Sequence, residues 1–200
     1  MIVLMRHART EGGEGRCIGR TPIPLSDEGR RQSVCIAEAL HNAGFARLCC
    51  SPSRRALDTI SPLAERIDSG VDILPALDEI DMGEWDGLLF DDVRSRYADL
   101  YGERGKSFAD FRPPNGENFN DVAERAVSVL KDLASGPQSV IAVTHAGVLR
   151  AVQCRLTGHP MDDLFHFKPE YGCCTLLESE NGELRFVKEN VLPQALFHFL

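Results

Sequence analysis

Short apolar runs alternate along this chain with longer stretches in which apolar residues recur every three to four positions. The runs predict β-strands, and the stretches predict amphipathic helices. In chain order we predict strand 2–5, helix 26–41, strand 46–50, helix 51–67, strand 71–74, helix 120–133, strand 139–144, helix 147–157, strand 173–179 and a return strand ending near residue 187. An Asn181-Gly182 turn should join the last two strands as a hairpin.

Strands that alternate with helices are typical of a parallel sheet covered by helices on both faces. We therefore predict an α/β protein, a three-layer α/β/α sandwich with a mostly parallel central sheet. The 200 residues fit one domain over 1–200. Residues 80–118 break the rhythm with glycines and prolines among charged and aromatic residues. We predict a partly helical, lid-like excursion there, because long irregular segments in compact domains are usually functional.

Two of the predicted strands end in a histidine. Arg6 and His7 follow the first strand, and His145 follows the strand at 139–144. A lone histidine at a strand end is more often a solvated or capping residue, but here there are two. Because parallel strands end at the same edge, where open α/β sheets bind ligands, we expect both imidazoles near one site.

Arginines are concentrated near the start of the chain. Nine lie in the first 55 residues, whereas the first lysine is Lys106. A planar guanidinium suits bidentate capture of phosphate or carboxylate, so an anion site built from this region is expected. Arg30, Arg31 and Arg47 are expected to be ordinary surface charges.

The composition limits the classes of binding partner and indicates the cellular compartment. A net charge of −8 argues against nucleic acid or an anionic membrane as a partner. We expect no secretory signal and no membrane span, and hence a cytoplasmic protein with reduced thiols. The seven cysteines include two adjacent pairs, at 49–50 and 173–174, whose side chains should point to opposite faces of a strand. We therefore expect small core residues rather than disulfides or metal ligands.

Four short motifs, in family order, resemble those of the histidine phosphatase superfamily, the group that includes the cofactor-dependent phosphoglycerate mutases. They read Arg-His-Ala-Arg-Thr at 6–10, Ser-Pro-Ser-Arg-Arg-Ala-Leu-Asp-Thr at 51–59, Leu-Asp-Glu-Ile-Asp-Met-Gly-Glu-Trp-Asp-Gly at 77–87 and Val-Thr-His-Ala-Gly at 143–147. The resemblance covers nearly the whole chain and implies a phosphoglycerate mutase-like fold. Segments 113–119 and 158–173 further resemble alpha-ribazole phosphatases, which remove a phosphate from a cobalamin-loop precursor.

The resemblance implies hydrolysis of a small-molecule phosphate monoester without a metal or another cofactor. His7 would attack phosphorus and form a phosphohistidine. Glu79 would protonate the departing alkoxide and then accept a proton from water, so it must be protonated when the substrate binds. The residues implied to hold the phosphorylated substrate are Arg6, Arg55, His145, Ile18, Gly19 and Ala146.

Several residue assignments have alternatives. Arg54 could replace Arg55 as the phosphate ligand, although the family pattern favours the arginine immediately before Ala56. Glu79 lies in an acidic cluster with Asp78, Asp81 and Glu84 that could simply be solvated.

The first motif departs from the family pattern, which has glycine and an acid where this chain has Ala8 and Arg9. An alanine at position 8 would be strained if that position needs a positive φ. Arg9 could add a phosphate contact or change what the first loop orients.

Other activities compete with phosphatase action. A mutase would transfer the phosphoryl group within one substrate, but the segment between Glu79 and His145 is shorter than in mutases. A phosphatase could also act on another sugar or nucleotide phosphate. A metal-dependent hydrolase could use His7, His145 and a carboxylate, and a non-catalytic module would bind phosphate without needing the nucleophile or the acid. The sequence also leaves open whether the protein forms a homodimer.

Overall fold

A six-stranded sheet forms the centre of the protein in a computed structural model that describes residues 1–136, 139–180 and 182–200. The strand order is β3-β2-β4-β1-β5-β6. The bounds are Ile2–Arg6 for β1, Arg47–Cys50 for β2, Val71–Ile73 for β3, Val140–Thr144 for β4, Cys174–Glu180 for β5 and Glu183–Val191 for β6. Strand β4 pairs in parallel with β1 and β2, and β2 pairs in parallel with β3, whereas β5 runs antiparallel to both β1 and β6. The predicted mostly parallel central sheet is confirmed.

Helices cover both faces of this sheet. They are α1 (Asp27–Leu40), α2 (Arg54–Arg66), α3 (Phe90–Arg96), α4 (Ala98–Arg104), α5 (Phe119–Ala134) and α6 (Ala146–Thr157), with 3-10 turns at Pro75–Leu77, Gly83–Trp85, Met161–His166 and Pro193–His198. Val3 and Met5 of β1 face a core shared with α1 and α2, whereas Ile2 and Leu4 face a core shared with α5 and α6. The alternation of side chains along β1 thus builds the predicted three-layer α/β/α sandwich.

Helix starts follow the capping signals in the sequence. Ser26 caps α1 by accepting a hydrogen bond from the Gly29 amide. Asn118 and Asp121 form a reciprocal capping box that starts α5 one residue before the predicted start. Strand β6 continues to Val191, beyond the predicted end near 187. The predicted turn includes Asn181, which lies outside the described residues.

The excursion at 80–118 contains the 3-10 turn at Gly83–Trp85 and the short helices α3 and α4. Trp85 and Val93 pack with Cys17 into a small core of their own, separate from the two main cores. The partly helical character agrees with the sequence prediction, and the lid role stays a prediction.

All seven cysteines lie in the described part of the chain and are free thiols. Six are buried, and Cys49 and Cys50 face opposite cores as predicted. The expectation of a core position is wrong for Cys35, which is exposed on α1. None of the described helices is long and apolar enough to cross a membrane.

Candidate active site

Adjacent parallel strands bring the two predicted histidines together. In the β1–β4 pair Arg6 lies opposite Thr144, and the His7 amide donates a hydrogen bond to the Thr144 carbonyl at 2.9 Å. The His7 and His145 ring centroids are 5.2 Å apart. A cavity of about 930 Å³ opens at this edge of the sheet, and the predicted site residues that line it are Arg6, His7, Ile18, Arg55, Glu79 and Ala146.

The surroundings of His7 keep its ring neutral, as a nucleophilic role would require. Its Nδ1 lies 2.8 Å from the Ala8 carbonyl oxygen, and because a carbonyl only accepts, Nδ1 carries the proton. The Nε2 atom therefore has its lone pair available. Burial lowers the pKa of His7 well below its ordinary value, and the neighbouring His145 and Arg55 lower it further. The ring is thus uncharged at neutral pH.

Ala8 fits its position without backbone strain. The non-glycine residues with positive φ in the described chain are Asp68, Asn115 and Asn190, so Ala8 needs no left-handed conformation. Its amide donates to Thr59 Oγ1 at 2.9 Å, which ties the first loop to α2. Arg9 lies half exposed at the rim of the cavity, where its Nε contacts a Glu28 oxygen at 3.1 Å.

Arg55, rather than Arg54, reaches the cavity. It is 2% exposed, and its guanidinium donates to His145 Nδ1 at 3.2 Å, to the Thr21 carbonyl at 3.1 Å and to the Gly19 carbonyl at 2.6 Å. Three of its five N–H groups are used in this way, which leaves two for a ligand. Arg54 is exposed and pairs with Asp58 one turn along α2.

His145 is completely buried and its ring nitrogens are both engaged. Nδ1 accepts from Arg55, so the proton of the neutral ring lies on Nε2, which is 2.6 Å from Ser51 Oγ and 3.4 Å from Asp78 Oδ1. Burial lowers the pKa of His145, although the hydrogen bond with Asp78 opposes this. In this arrangement His145 is neutral, and a role as a cationic donor requires it to gain a proton.

Asp78 supplies a fixed negative charge behind His145. Burial raises the pKa of Asp78, but hydrogen bonds from His145 and from the Ser53 hydroxyl outweigh burial and lower it to about 2. Ser53 is the N-cap residue of α2, yet its hydroxyl serves this carboxylate rather than the helix. An anion at this position favours the protonated form of His145. The predicted direct contact of His145 with the substrate is not seen in the lining of the cavity, because the ring lies fully buried behind Arg55.

Glu79 is the member of the acidic cluster that lines the cavity. Its two carboxyl oxygens accept from the Ile80 amide at 2.9 Å and from the Gly147 amide, in the first turn of α6, at 3.1 Å. A β-carbon on Gly147 would lie 2.2 Å from Glu79 Oε1, so a glycine is required there for this placement. Asp81 instead pairs with Arg20 at 3.0 Å.

The structure gives Gly19 a different role from the expected substrate contact. Its amide donates to Asp86 at 2.9 Å, and its carbonyl accepts from Arg55. A β-carbon there would lie 2.3 Å from the Ile80 carbonyl oxygen. The glycine therefore permits close approach of two backbone segments, and the neighbouring Ile18 lines the cavity.

Among the lining residues that sequence reasoning missed, Tyr171 and Arg150 lie close to the predicted site residues. The Arg6 guanidinium carbon lies 3.5 Å from the centroid of the Tyr171 ring, and this ring is also 5.5 Å from that of His7. Arg150 follows Ala146 by four residues on α6, so helical spacing could have placed it on the same face. No local signal marks Tyr171.

Arg6 shows that the cavity is built for an anion. Its Nη1 donates to the Pro169 carbonyl at 2.9 Å, whereas its buried Nε has no hydrogen-bond partner among the described residues. Because Arg6 also lines the cavity, its positive charge suits an anion bound there. A neutral imidazole nucleophile beside fixed guanidinium groups, with a carboxyl group nearby, defines an enzyme that transfers phosphoryl groups through histidine.

Comparison with known proteins agrees with this class. Residues 2–192 match the sequence profile of the histidine phosphatase superfamily, branch 1, and the chain belongs to that superfamily. The resemblance inferred from the four motifs is thereby confirmed, and the protein is a phosphatase.

Relatives and solved structures share both sequence and fold with this chain. It is 33% identical over 183 residues to the adenosylcobalamin/alpha-ribazole phosphatase of Salmonella typhimurium, covering 90% of each chain. It is also 33% identical over 174 residues to the glucosyl-3-phosphoglycerate phosphatase of Mycolicibacterium vanbaalenii, covering 81% of this chain and 76% of that one. A putative alpha-ribazole-5'-P phosphatase structure from Escherichia coli superposes with a TM-score of 0.85 at 26% identity, covering 96% of this chain and 97% of the other.

Proposed function

We propose that this phosphatase hydrolyses alpha-ribazole 5'-phosphate through a phosphohistidine at His7, as a step of cobalamin biosynthesis. The reaction type rests above all on the neutral His7 ring, which keeps its lone pair on Nε2 and lines the same cavity as Arg6 and Arg55. The substrate rests on similarity to the Salmonella enzyme over 90% of both chains.

In the first half-reaction His7 Nε2 attacks phosphorus, and the bond from phosphorus to the ester oxygen breaks. The departing oxygen takes a proton from Glu79. The Arg6 guanidinium, which lines the cavity, and the two remaining N–H groups of Arg55 stabilise the phosphoryl oxygens, and preorganised donors of this kind are worth about 2.7–4 kcal/mol each in the transition state. His145 becomes a further donor once its Nδ1 gains a proton and releases the Arg55 N–H, a change that the Asp78 carboxylate favours.

In the second half-reaction water attacks the phosphorus of the phosphohistidine. Glu79, now deprotonated, accepts a proton from this water, and the bond from phosphorus to Nε2 breaks. Inorganic phosphate leaves, and His7 and Glu79 return to their starting protonation states.

The test combines substrate turnover with a trapped intermediate. We expect hydrolysis of alpha-ribazole 5'-phosphate and acid-labile, base-stable labelling at His7 by radioactive substrate, both lost in His7→Ala with the fold retained. Labelling of a serine, cysteine or aspartate would refute the mechanism. Isomerisation of 3-phosphoglycerate without release of phosphate would instead identify a mutase.

Glucosyl-3-phosphoglycerate is the second candidate substrate, because the relative with that activity is as identical to this chain as the Salmonella enzyme. A higher kcat/KM for this ester than for alpha-ribazole 5'-phosphate would select it. Either ester would place its phosphate group among the same residues, so the outcome of this comparison leaves the proposed phosphate site unchanged.

We further propose that the protein acts in the cytoplasm on small molecules, without a nucleic-acid or membrane partner and without a metal or another cofactor. The net charge of −8 and the seven free thiols support this setting. A homodimer is the proposed assembly to test, by measuring the mass in solution against the 22.1 kDa of one chain.

A further inference from the structure

A second cavity, of about 200 Å³, lies beside Glu79. It shares Ile18, Glu79 and Arg150 with the catalytic cavity, whereas His7 lines only the catalytic cavity. The two spaces therefore meet at the proposed acid and not at the nucleophile.

Five phenylalanine rings line this second cavity, and charged side chains lie among them, namely Arg16, Arg104, Arg150, Glu79 and Glu117. We call it the aromatic chamber and define it by Phe90, Phe108, Phe111, Phe119 and Phe165. The Phe108 and Phe119 rings are stacked with centroids 5.4 Å apart at 17°, and the Phe108 and Phe165 rings form an edge-to-face pair with centroids 5.3 Å apart at 61°. The Arg104 guanidinium carbon lies 4.2 Å from the centroid of the Phe108 ring.

Two of these rings are unusually accessible for their size. Phe165 is 52% exposed and Phe90 is 39% exposed. Large apolar side chains that are exposed around a concave surface mark ligand sites more often than plain surface. The chamber lies under the 80–118 excursion, which supplies three of its five phenylalanines.

The chemistry of phosphoryl transfer decides which part of a substrate enters the chamber. The attacking and leaving atoms lie roughly in line on opposite sides of phosphorus. The acid must reach the leaving oxygen. Because Glu79 lines both cavities and His7 lines only the catalytic one, a leaving alcohol in line with His7 can extend past Glu79 into the chamber.

We propose that the aromatic chamber binds a flat aromatic ring carried by the leaving alcohol of the substrate. Apolar cavities of about 150 Å³ accept benzene, so 200 Å³ gives room for one ring or a compact fused pair. Phe90 and Phe165, which line the chamber and are partly exposed, are the rings against which an aromatic partner can stack or pack edge to face. This inference rests on the proposed phosphatase mechanism and deepens it by naming a class of leaving group.

The test uses three phosphate esters of primary alcohols with closely similar leaving-group basicity: ethyl, 2-cyclohexylethyl and 2-phenylethyl phosphate. Burial of the phenyl ring should raise kcat/KM for 2-phenylethyl phosphate above that for ethyl phosphate at least about 10-fold. The kcat/KM for 2-phenylethyl phosphate should also exceed that for 2-cyclohexylethyl phosphate by about threefold or more, because the saturated ring cannot stack. Equal values for all three esters, or a preference for the cyclohexyl ester, would overturn the inference.

A matched pair of variants locates the effect. Phe165→Ala should reduce the ratio of kcat/KM values for 2-phenylethyl and ethyl phosphate by about threefold to tenfold. Phe197, which is 50% exposed in the 3-10 turn at Pro193–His198, provides the control, because Phe197→Ala should leave this ratio unchanged. Both variants remove a half-exposed ring, so both should fold, and circular dichroism checks this. An unchanged ratio in Phe165→Ala would overturn the assignment of the chamber.

Failure of the chamber and failure of the proposed function give different results. Hydrolysis of all three esters at equal rates would refute the chamber alone. A retained preference for 2-phenylethyl phosphate without hydrolysis of alpha-ribazole 5'-phosphate would refute only the named substrate. Absence of hydrolysis of every ester by the folded protein would refute the proposed function.

Discussion

Replacing Gly147 with alanine should disable the proposed acid while leaving the phosphate site intact. The added β-carbon would lie 2.2 Å from Glu79 Oε1 and 3.1 Å from its carboxyl carbon. The backbone of α6 cannot retreat easily, because its first turn is buried beside the sheet. The flexible end of the Glu79 side chain must move instead.

The size of the effect follows from that displacement. Contacts below 3.0 Å are essentially absent for real β-carbons, so the oxygen must move by at least about 0.8 Å. This movement breaks the hydrogen bonds from the Ile80 and Gly147 amides that hold the carboxyl group. A misplacement of about 1 Å costs about 10²-fold in rate, so kcat toward alkyl phosphates should fall by about two orders of magnitude.

Stability should change much less than activity. Two lost hydrogen bonds cost about 1 kcal/mol each, and alanine recovers up to about 1 kcal/mol relative to glycine within a helix. The net loss in the free energy of unfolding should therefore be about 1 kcal/mol. Urea unfolding followed by circular dichroism measures it.

The assay compares an alkyl phosphate with p-nitrophenyl phosphate, whose leaving group departs without a proton. Gly147→Ala should slow the alkyl ester strongly and p-nitrophenyl phosphate only slightly. Gly102→Ala in α4 is the matched control, because a β-carbon there meets no atom within 4 Å. An alkyl-ester rate within threefold of the wild-type value, or equal losses for both esters, would contradict the placement of the acid.

The remaining predictions concern the acid, the histidines and metal ions. Glu79→Gln should lower kcat toward alkyl phosphates by about 10² to 10⁴, with a smaller loss for p-nitrophenyl phosphate, whereas Asp81→Asn and Glu84→Gln should cost much less; equal losses in all three would show that the acid is misassigned. The lowered pKa values of His7 and His145 should appear in NMR titrations as midpoints below the ordinary value of about 6.5. Because the unfolded chain binds these protons at higher pH than the folded chain does, the free energy of unfolding should decrease as the pH falls below about 6.5, and a rise over that range would count against buried neutral rings. Activity should survive excess EDTA and be inhibited by orthovanadate; loss in EDTA with recovery on adding Zn²⁺ would favour a metal-dependent hydrolase.

Strands and helices were predictable where a local signal exists. The apolar runs before His7 and His145 identified both strands, and Ser26 marked the start of α1. The wrong prediction of a core position for Cys35 was avoidable. Ser33, Ile36 and Leu40 define the buried face of α1, and Cys35 falls outside that helical period.

Contacts between distant segments had no comparable signal. Ser51 meets His145 across 94 residues, and Arg6 meets the segment before Tyr171 across 163. The need for a glycine at 147 appears only once the Glu79 carboxyl group is placed against α6. The sequence could thus name most of the side chains that meet at the cavity, while the residues that orient them required the three-dimensional arrangement.

The adjacency of β1 and β4 also bears on how such a site can change its substrate. The distance between His7 and His145 depends on the backbone hydrogen bonds of two neighbouring strands, whose spacing is about 4.8 Å in any sheet. Side-chain substitutions can hardly alter this distance, so the spacing of the two imidazoles is inherited with the sheet itself. Selectivity for the leaving group must then evolve in the surrounding loops. A mutant library that aims to change the substrate of this enzyme should vary the residues that line the aromatic chamber and keep those at the ends of β1 and β4.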